Sequence, residues 1–447
     1  MKTDVQMLDG MGGKIRLILI GFTLLYLGIC VVAALEVSRS LHTVMVHVFV
    51  LLALILTVRQ VILLVTAIRQ AKTPAPDWPK DGKEPLVSIL VPAFNEEEVI
   101  EPALGSLLQL NYGSYEIILV DDGSSDATIS RVNALLATGN PRQIPVRIIS
   151  NSNGGKANAL NTALMHASGE FILCVDSDAR IAPDSLRYGL RHFADKQVGA
   201  VAGNVMVANQ TSLLTRFQQL EYMISQNFVR RGLAWFGAVT IVPGPVGLFR
   251  KAAIAQAQGY REEAKLFAED ADLSVRMLGM GWRITSDEGM QAFTEAPDTI
   301  FSLLRQRYRW KRGIYQVLHD NFFQLIIAPG LRRPLIAFMM VMEGFLFEVL
   351  GFGVTLFMIV NIVYLAEINL LVGWLLVLFF LDLVVLIVSV PTMQLFKWLP
   401  VLIVQKLSYS YALQTWGVLA LLDEWRSRTM SWDKVERLGS LQSGGAV

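Results

Sequence analysis

The sequence predicts an α/β domain, a parallel sheet with helices on both faces, inserted between two blocks of apolar helices of membrane length. Three observations carry that expectation. Short β-branched runs alternate with helically spaced runs between residues 85 and 300. Long apolar runs stand on both sides of that stretch. Three polar clusters within it directly follow runs that read as strands.

The chain has 447 residues, 53% of them hydrophobic and 17% charged. Soluble domains carry about a quarter charged residues, so this composition favours a membrane protein. The net charge is +1 with no long basic run, which excludes a nucleic-acid footprint. Cys30 and Cys174 are the only cysteines, too few for a disulfide framework, and both read as small core residues.

Residues 1–70 hold two runs, Ile15–Leu35 and Val44–Ile68, each as long as the roughly 20 residues a crossing takes. Arg59-Gln60 interrupts the second. Lys2 and Lys14 precede the first run, Arg69, Lys72, Lys80 and Lys83 follow the second, and only Arg39 lies between them. That bias puts the N-terminus and the segment after residue 68 on the cytoplasmic side. Residues 71–84, with Pro74, Pro76 and Pro79, read as an extended linker.

Within residues 85–300, Leu86–Val91 reads as a buried parallel strand and Asn95–Glu98 as the turn into a helix over Val99–Leu110. Tyr115–Val120 is the next strand, followed by the turn Asp121–Asp126 and a helix over Ala127–Thr138. Val146–Ser150 and Phe171–Val175 are the third and fourth strands. Glu269 opens a helix that continues over Leu273–Met280. Residues 301–333 read as amphipathic interface helices. Residues 334–425 contain the apolar runs Pro334–Leu365 and Leu370–Val390, and the less clean Leu399–Leu422, which either spans or lies in the interface. Glu343, Glu348 and Asp382 sit inside these runs, where a carboxylate faces a polar interior or a neighbouring helix. Residues 426–447, with Arg426, Arg428, Lys434 and Arg437, read as a cytoplasmic or flexible tail.

Ligands of open α/β sheets bind beyond the carboxyl ends of the strands, where three polar clusters fall. Asp176-Ser177-Asp178 places two carboxylates at a strand mouth, a donor set suited to Mg²⁺ or Mn²⁺ shared with phosphates; an N-cap or turn is the alternative. Asp122 suits a base or ribose hydroxyl, or a turn before Gly123; Phe94 suits stacking on a base, or core packing. Glu96 and Asp121 complete the same two strand-end clusters. Asn153–Asn161 is a glycine loop opening a helix, with Lys156 suited to an anion; a surface turn with an exposed lysine is the alternative. Asp270 is the candidate general base for an acceptor hydroxyl, although acidic residues in a first helical turn are also ordinary dipole partners. Gln306-Arg307-Tyr308-Arg309-Trp310 lies on an amphipathic helix, with Trp310 as a wall for an acceptor and Arg309 near a leaving diphosphate, or as a membrane-surface face.

From Val87 to Gln316 the chain resembles the processive family 2 membrane glycosyltransferases, the cellulose, hyaluronan, chitin-oligosaccharide and poly-N-acetylglucosamine synthases. The stretches that carry the resemblance are Val87–Glu97, Val120–Ser124, Gly155–Asn161, Asp176–Ala179, Ala268–Asp270 and Gln306–Trp310. The spacing from Glu295–Thr299 to Gln306–Gly313 looks most like the poly-N-acetylglucosamine synthases. The resemblance implies a cytoplasmic GT-A (Rossmann-like) α/β glycosyltransferase domain between transmembrane segments, a UDP-sugar donor, Mg²⁺ or Mn²⁺ as cofactor, and inversion at the anomeric carbon. It assigns nucleotide contacts to Asp122 and Lys156, metal to Asp178, the base to Asp270, and acceptor and diphosphate contacts to Gln306, Arg309 and Trp310. It also brings Pro243–Gly247 to the acceptor site. Family members often read Thr-Glu-Asp where this chain has Ala268-Glu269-Asp270, which alters a nearby hydrogen bond without removing the base.

The expected function is therefore a hexosyltransferase of the bacterial inner membrane. It polymerises a β-linked exopolysaccharide from a UDP-sugar, UDP-N-acetylglucosamine first, and passes the growing polysaccharide acceptor through the bilayer; whether a small membrane subunit is a partner stays open. Two other readings stay open: a single-transfer enzyme glycosylating a lipid, and a catalytically silent transport or assembly subunit.

Overall fold

The structure, a computed structural model, describes residues 41–74, 82–262, 266–327, 332–341, 349, 351–353 and 368–426. The expected crossing Ile15–Leu35, Cys30, Pro76, Pro79, Glu343, Glu348 and the tail from 427 onward lie outside the described residues, as does most of the run Pro334–Leu365.

Helix α1 (Leu41–Lys72) precedes the sheet. There follow β1 (Val87–Ala93), α2 (Ile100–Leu108), β2 (Tyr115–Asp121), α3 (Thr128–Gly139), β3 (Val146–Ser150), α4 (Lys156–His166) and β4 (Phe171–Cys174). These are the elements the sequence pattern marks, in the expected order. β1 pairs in parallel with β2 and with β4, and β2 in parallel with β3.

The second half of the sheet differs from the all-parallel expectation. β5 (Ala179–Ile181), α5 (Ser185–Leu190), β6 (Val198–Val207), α6 (Leu213–Ile224), a π-helical turn (Ser225–Arg230), α7 (Arg231–Trp235), β7 (Gly247–Arg250), α8 (Lys251–Gln256), α9 (Glu269–Gly279) and β8 (Arg283–Thr294) continue the chain. The sheet order is β3-β2-β1-β4-β7-β6-β8-β5. β7 runs antiparallel to both β4 and β6, and β5 antiparallel to β8. β6 is an apolar run that the sequence displays plainly. Its direction and its pairing with β8 arise from contacts across some eighty residues of chain, which a local pattern does not encode.

The continuous apolar runs follow from burial on both faces. Leu90, Ile118, Val120, Ile172 and Cys174 point into one core with α4, α7 and α9. Val87, Ile89, Val91, Ile117, Leu119 and Leu173 point into the other with α2 and α5.

Helix α10 (Ile300–Ile327) carries the Gln306–Trp310 motif, and α11 (Arg332–Val341) and α12 (Ile368–Ser389) follow. The run Leu399–Leu422 is two helices, α13 (Leu395–Leu407) and α14 (Tyr409–Trp425), broken at Ser408. Their lengths of 13 and 17 residues fall below the roughly 20 needed to span. Trp398, Val401, Leu402 and Tyr409 instead pack with Phe217 and Leu220 of α6. Asp382, on α12, is ion-paired with Lys406 of α13 at 2.9 Å. Among the described residues, no helix is long and apolar enough to cross a membrane.

Gly313 lets α10 approach the start of α9. A Cβ there would lie 2.6 Å from Ala268 Cβ and 3.0 Å from the Phe267 carbonyl carbon. Gly313→Ala should therefore destabilise the domain by about 1–3 kcal/mol, the usual cost of overpacking a tight contact, read as a lowered thermal midpoint. An unchanged midpoint would show that α10 is free to shift away.

Candidate active site

The carboxyl ends of β1, β2 and β4 open into one cleft of about 480 Å³, within the roughly 300–1,000 Å³ typical of ligand sites. Phe94 and Glu96 follow β1, Asp122 follows β2, and Asp176 and Asp178 follow β4; all five line the cleft. Lys156, Glu269, Gln306 and Arg309 close it from α4, α9 and α10.

The turn after β1 is locked to the turn after β2. Asn95 adopts φ 52°, a left-handed conformation that asparagine tolerates. Its N–H donates to Ser124 Oγ at 2.9 Å, and its Oδ1 accepts the Ser125 N–H at 2.8 Å. Asp122, 4% exposed, accepts the N–H groups of Gly154 and Gly155 at 2.9 and 2.8 Å. Gly155 stands at φ 86°, which favours glycine, and leads directly into α4 and Lys156. The aspartate that sequence reasoning aimed at the donor thus also shapes the glycine loop.

Asp121 does not line the cleft; its carboxylate turns back to accept the Ser124 N–H at 3.1 Å. Trp310 also stands outside this wall. Its ring lies 6.5 Å from that of Tyr222 and 4.3 Å from the Arg307 guanidinium carbon.

Lys156 sits at the centre of the charge. Its Nζ lies 2.7 Å from Asp176 Oδ1 and 2.9 Å from Glu269 Oε1. Desolvation works against the ammonium, but Asp176, Glu269 and Asp270 hold its pKa well above the ordinary lysine range. Desolvation likewise pushes Glu269 up, yet Lys156 more than offsets it and holds this carboxyl below its ordinary value. Asp176 stays raised, by desolvation first, with Lys156 opposing and Asp178 adding to the rise.

Asp270 sits one layer deeper, in a small space shared with Lys156, Asp176, Gly244 and Glu269. Its Oδ1 accepts the Ala271 N–H at 2.8 Å and its Oδ2 the Gly244 N–H at 3.3 Å. Desolvation, then the Glu269 charge, pushes its pKa up to about 6, with Lys156 opposing. Gly244 approaches closely: a Cβ there would lie 2.7 Å from Lys156 Nζ and 3.1 Å from Asp176 Oδ1. That places part of the Pro243–Gly247 stretch against the charge cluster.

Several cleft residues had no readable motif. Arg261, Glu262 and Phe267 line a further part of the cleft wall. Asn161 holds that wall, accepting the Tyr260 N–H at 2.9 Å and donating to the Tyr260 carbonyl at 2.8 Å and Glu262 Oε1 at 2.7 Å. Outside the cleft lining, Arg230 lies on the π-helical turn, where it donates to the Gly203 carbonyl, and desolvation pushes its pKa down to about 10, with Asp270 opposing. A π-bulge often marks a functional site, but the sequence does not display one.

A divalent cation would find two carboxylates here, Asp176 and Asp178. Among the described residues, no group of three or more His, Cys, Asp or Glu side chains is arranged to hold a metal ion. The donor set therefore fits a cation that takes its remaining ligands from substrate phosphates and water, as Mg²⁺ commonly does.

Residues 88–257 match the family model described as "Glycosyl transferase family 2". The chain is similar to the poly-beta-1,6-N-acetyl-D-glucosamine synthase of Staphylococcus aureus, 32% identical over 257 residues, covering 57% of this chain and 61% of that one. Similarity to the synthase of the same name from Staphylococcus epidermidis is 30% over 253 residues, or 56% and 60% of the two chains. The match thus spans about three fifths of these relatives. In three dimensions the chain resembles the mannosyltransferase PcManGT from Pyrobaculum calidifontis, solved with GDP-Man and Mn²⁺, at a TM-score of 0.59 and 21% identity over 84% of this chain and 99% of that one. That likeness is one of fold.

Removing the Asp122 carboxylate should release the glycine loop. Each hydrogen bond to a charged acceptor contributes about 1.5–3 kcal/mol, so Asp122→Ala should speed amide exchange at Gly154 and Gly155 by an order of magnitude or more. Unchanged protection would mean that other contacts hold the loop.

Proposed function

The chain carries a family 2 glycosyltransferase domain, and on that premise we propose that it is an inverting, processive polysaccharide synthase at a membrane. It takes a hexose, N-acetylglucosamine first among candidates, from a UDP-sugar and adds it to the hydroxyl end of a growing β-linked chain. One observation carries the reading: Asp122, Lys156, Asp176, Asp178, Gln306 and Arg309, far apart in sequence, line a single cleft at the carboxyl edge of the sheet. The names of the staphylococcal relatives support N-acetylglucosamine as the sugar.

In this reading Phe94 offers its ring face to the base and Asp122 its remaining lone pairs to the base or ribose. Lys156, held protonated between Asp176 and Glu269, fixes a positive charge where the diphosphate lies. A divalent cation held by Asp178 and Asp176, when bound, offsets the charge of the departing diphosphate. Asp270 takes the proton of the acceptor hydroxyl as that oxygen bonds to the anomeric carbon. The bond from that carbon to the diphosphate oxygen breaks, its electron pair leaves with the nucleoside diphosphate, and the configuration inverts. Gln306 and Arg309 hold the acceptor and diphosphate sides of the cleft.

Attachment to the bacterial inner membrane with the cleft on the cytoplasmic side, and export of the product, belong to the same proposal. Their support is the composition and the apolar side chains left in the open. Leu51, Leu54, Val58, Ile62 and Val65 form one outward stripe of α1, and Phe396, Leu407 and Trp425 stand exposed on α13 and α14.

The base must be ionised to act, so transfer should rise with pH through about 6 and level off above it, following the raised Asp270. Asp270→Asn should cut transfer by about 10²–10⁴-fold, the usual worth of general-base catalysis, while UDP binding by calorimetry stays near wild type. Turnover near wild type in that variant would remove Asp270 from the role. Purified protein supplied with each UDP-sugar and Mg²⁺ should release UDP and make long products by mass analysis. Single-sugar products on lipid would select the glycolipid enzyme, and no UDP release from any donor would select the silent subunit.

A further inference from the structure

We propose that Arg307 is a positioning residue for the acceptor side of the cleft, set in place by a carboxylate and a phenol from two other helices. The inference rests on the transferase reading above and goes beyond its assigned residues.

Arg307 stands between two members of the α10 motif and touches both. Its Nη1 donates to Gln306 Oε1 at 2.7 Å, which orients that amide and leaves its N–H donors for the cleft that Gln306 lines. Its guanidinium carbon lies 4.3 Å from the Trp310 ring centroid and 5.6 Å from that of Tyr222, contacts of cation–π type. Its Nη2 donates to Glu221 Oε2 at 2.9 Å, and the same oxygen accepts the Tyr409 O–H at 2.5 Å. Glu221 lies on α6 and Tyr409 begins α14. Arg307 is 4% exposed, so bulk water does not substitute for these partners.

Only a planar guanidinium serves these contacts together. It donates to an amide and a carboxylate at fixed angles while its face lies against an aromatic ring; a lysine supplies one point charge with no such plane. The register of Gln306 and Trp310 is therefore conditioned by α6 and by the C-terminal helix, and not by α10 alone. A purely structural ion pair joining three helices is the competing account. It predicts that damage to Arg307 lowers stability, nucleotide binding and transfer together.

The test uses the full chain, UDP-N-acetylglucosamine as donor and a β-linked N-acetylglucosamine oligosaccharide as acceptor. In Arg307→Lys the KM for the oligosaccharide should rise about tenfold with UDP affinity within about twofold of wild type, the signature of lost acceptor binding without lost donor binding. Tyr409→Phe, which removes one hydroxyl, should shift the same KM in the same direction by a smaller factor. An unchanged acceptor KM, or a parallel loss of UDP affinity, overturns the proposal. A second readout stands apart from activity: the emission contributed by Trp310, taken as wild type minus Trp310→Phe, should shift to the red in the Arg307→Lys background. An unshifted difference spectrum also overturns the proposal. A wild-type chain inactive with every sugar nucleotide overturns the transferase reading instead, and the Trp310 spectrum still decides whether Arg307 holds Trp310 in place.

Discussion

The bridge made by Lys156 is the constraint on which the site depends. Asp176, Glu269 and Asp270 reach one small volume from different parts of the fold, and Asp178 stands beside them. Such a concentration of carboxylates resists ionisation unless positive charge is built in. Lys156 supplies it at 2.7 and 2.9 Å, and so ties the first turn of α4 to the end of β4 and the start of α9. The glycine loop that delivers Lys156 is itself held by Asp122. The geometry of this side of the cleft is thus a chain of hydrogen bonds from the end of β2 to the start of α9, in which each link orients the next.

A second constraint comes from the far end of the molecule. Helix α10 carries Gln306 and Arg309 into the cleft but is stapled along its length to α14. Tyr308 donates to Asp423 at 2.8 Å, Arg312 to Glu424 at 2.6 Å, and Gln316 to Glu424 at 3.2 Å. Arg312 is 3% exposed, and leaving such a cation without its partner costs several kcal/mol. The helix that walls the cleft is therefore fixed on one side by α9, through Gly313, and on the other by the C-terminal helices. Residues 221, 307 and 409 are thereby joined by hydrogen bonds to Gln306, which lines a cleft built mainly between 94 and 309.

Much of the site was legible because its residues follow strands whose pattern is strong. β1, β2 and β4 are apolar on both faces, so their ends are sharp, and Phe94, Asp122, Asp176 and Asp178 stand where those ends predict. Asp121 and Trp310 show the limit. Both sit in the right motif, yet Asp121 caps its own turn and Trp310 rests on Tyr222 and Arg307. Which of two adjacent side chains faces a cleft depends on the turn geometry, which a motif does not specify. The run Leu399–Leu422, which the sequence leaves open between a crossing and an interface segment, shows a related limit. Its hydropathy counts apolar residues, while the break at Ser408 and the packing of Trp398 and Tyr409 on α6 are tertiary events.

The sequence by itself determined the alternation of strands and helices in the first half of the domain and the polar clusters at the strand ends, and its motifs carried the resemblance to a glycosyltransferase family. The first two are local properties, written in periodicity and in residue type. Only the tertiary structure decided the mixed half of the sheet, the wall of Arg261, Glu262 and Phe267, the raised pKa of Asp270 and the hub at Arg307. Each of these arises where groups distant in the chain desolvate one another or share a hydrogen bond, and the energy of such a contact belongs to the pair and not to either segment.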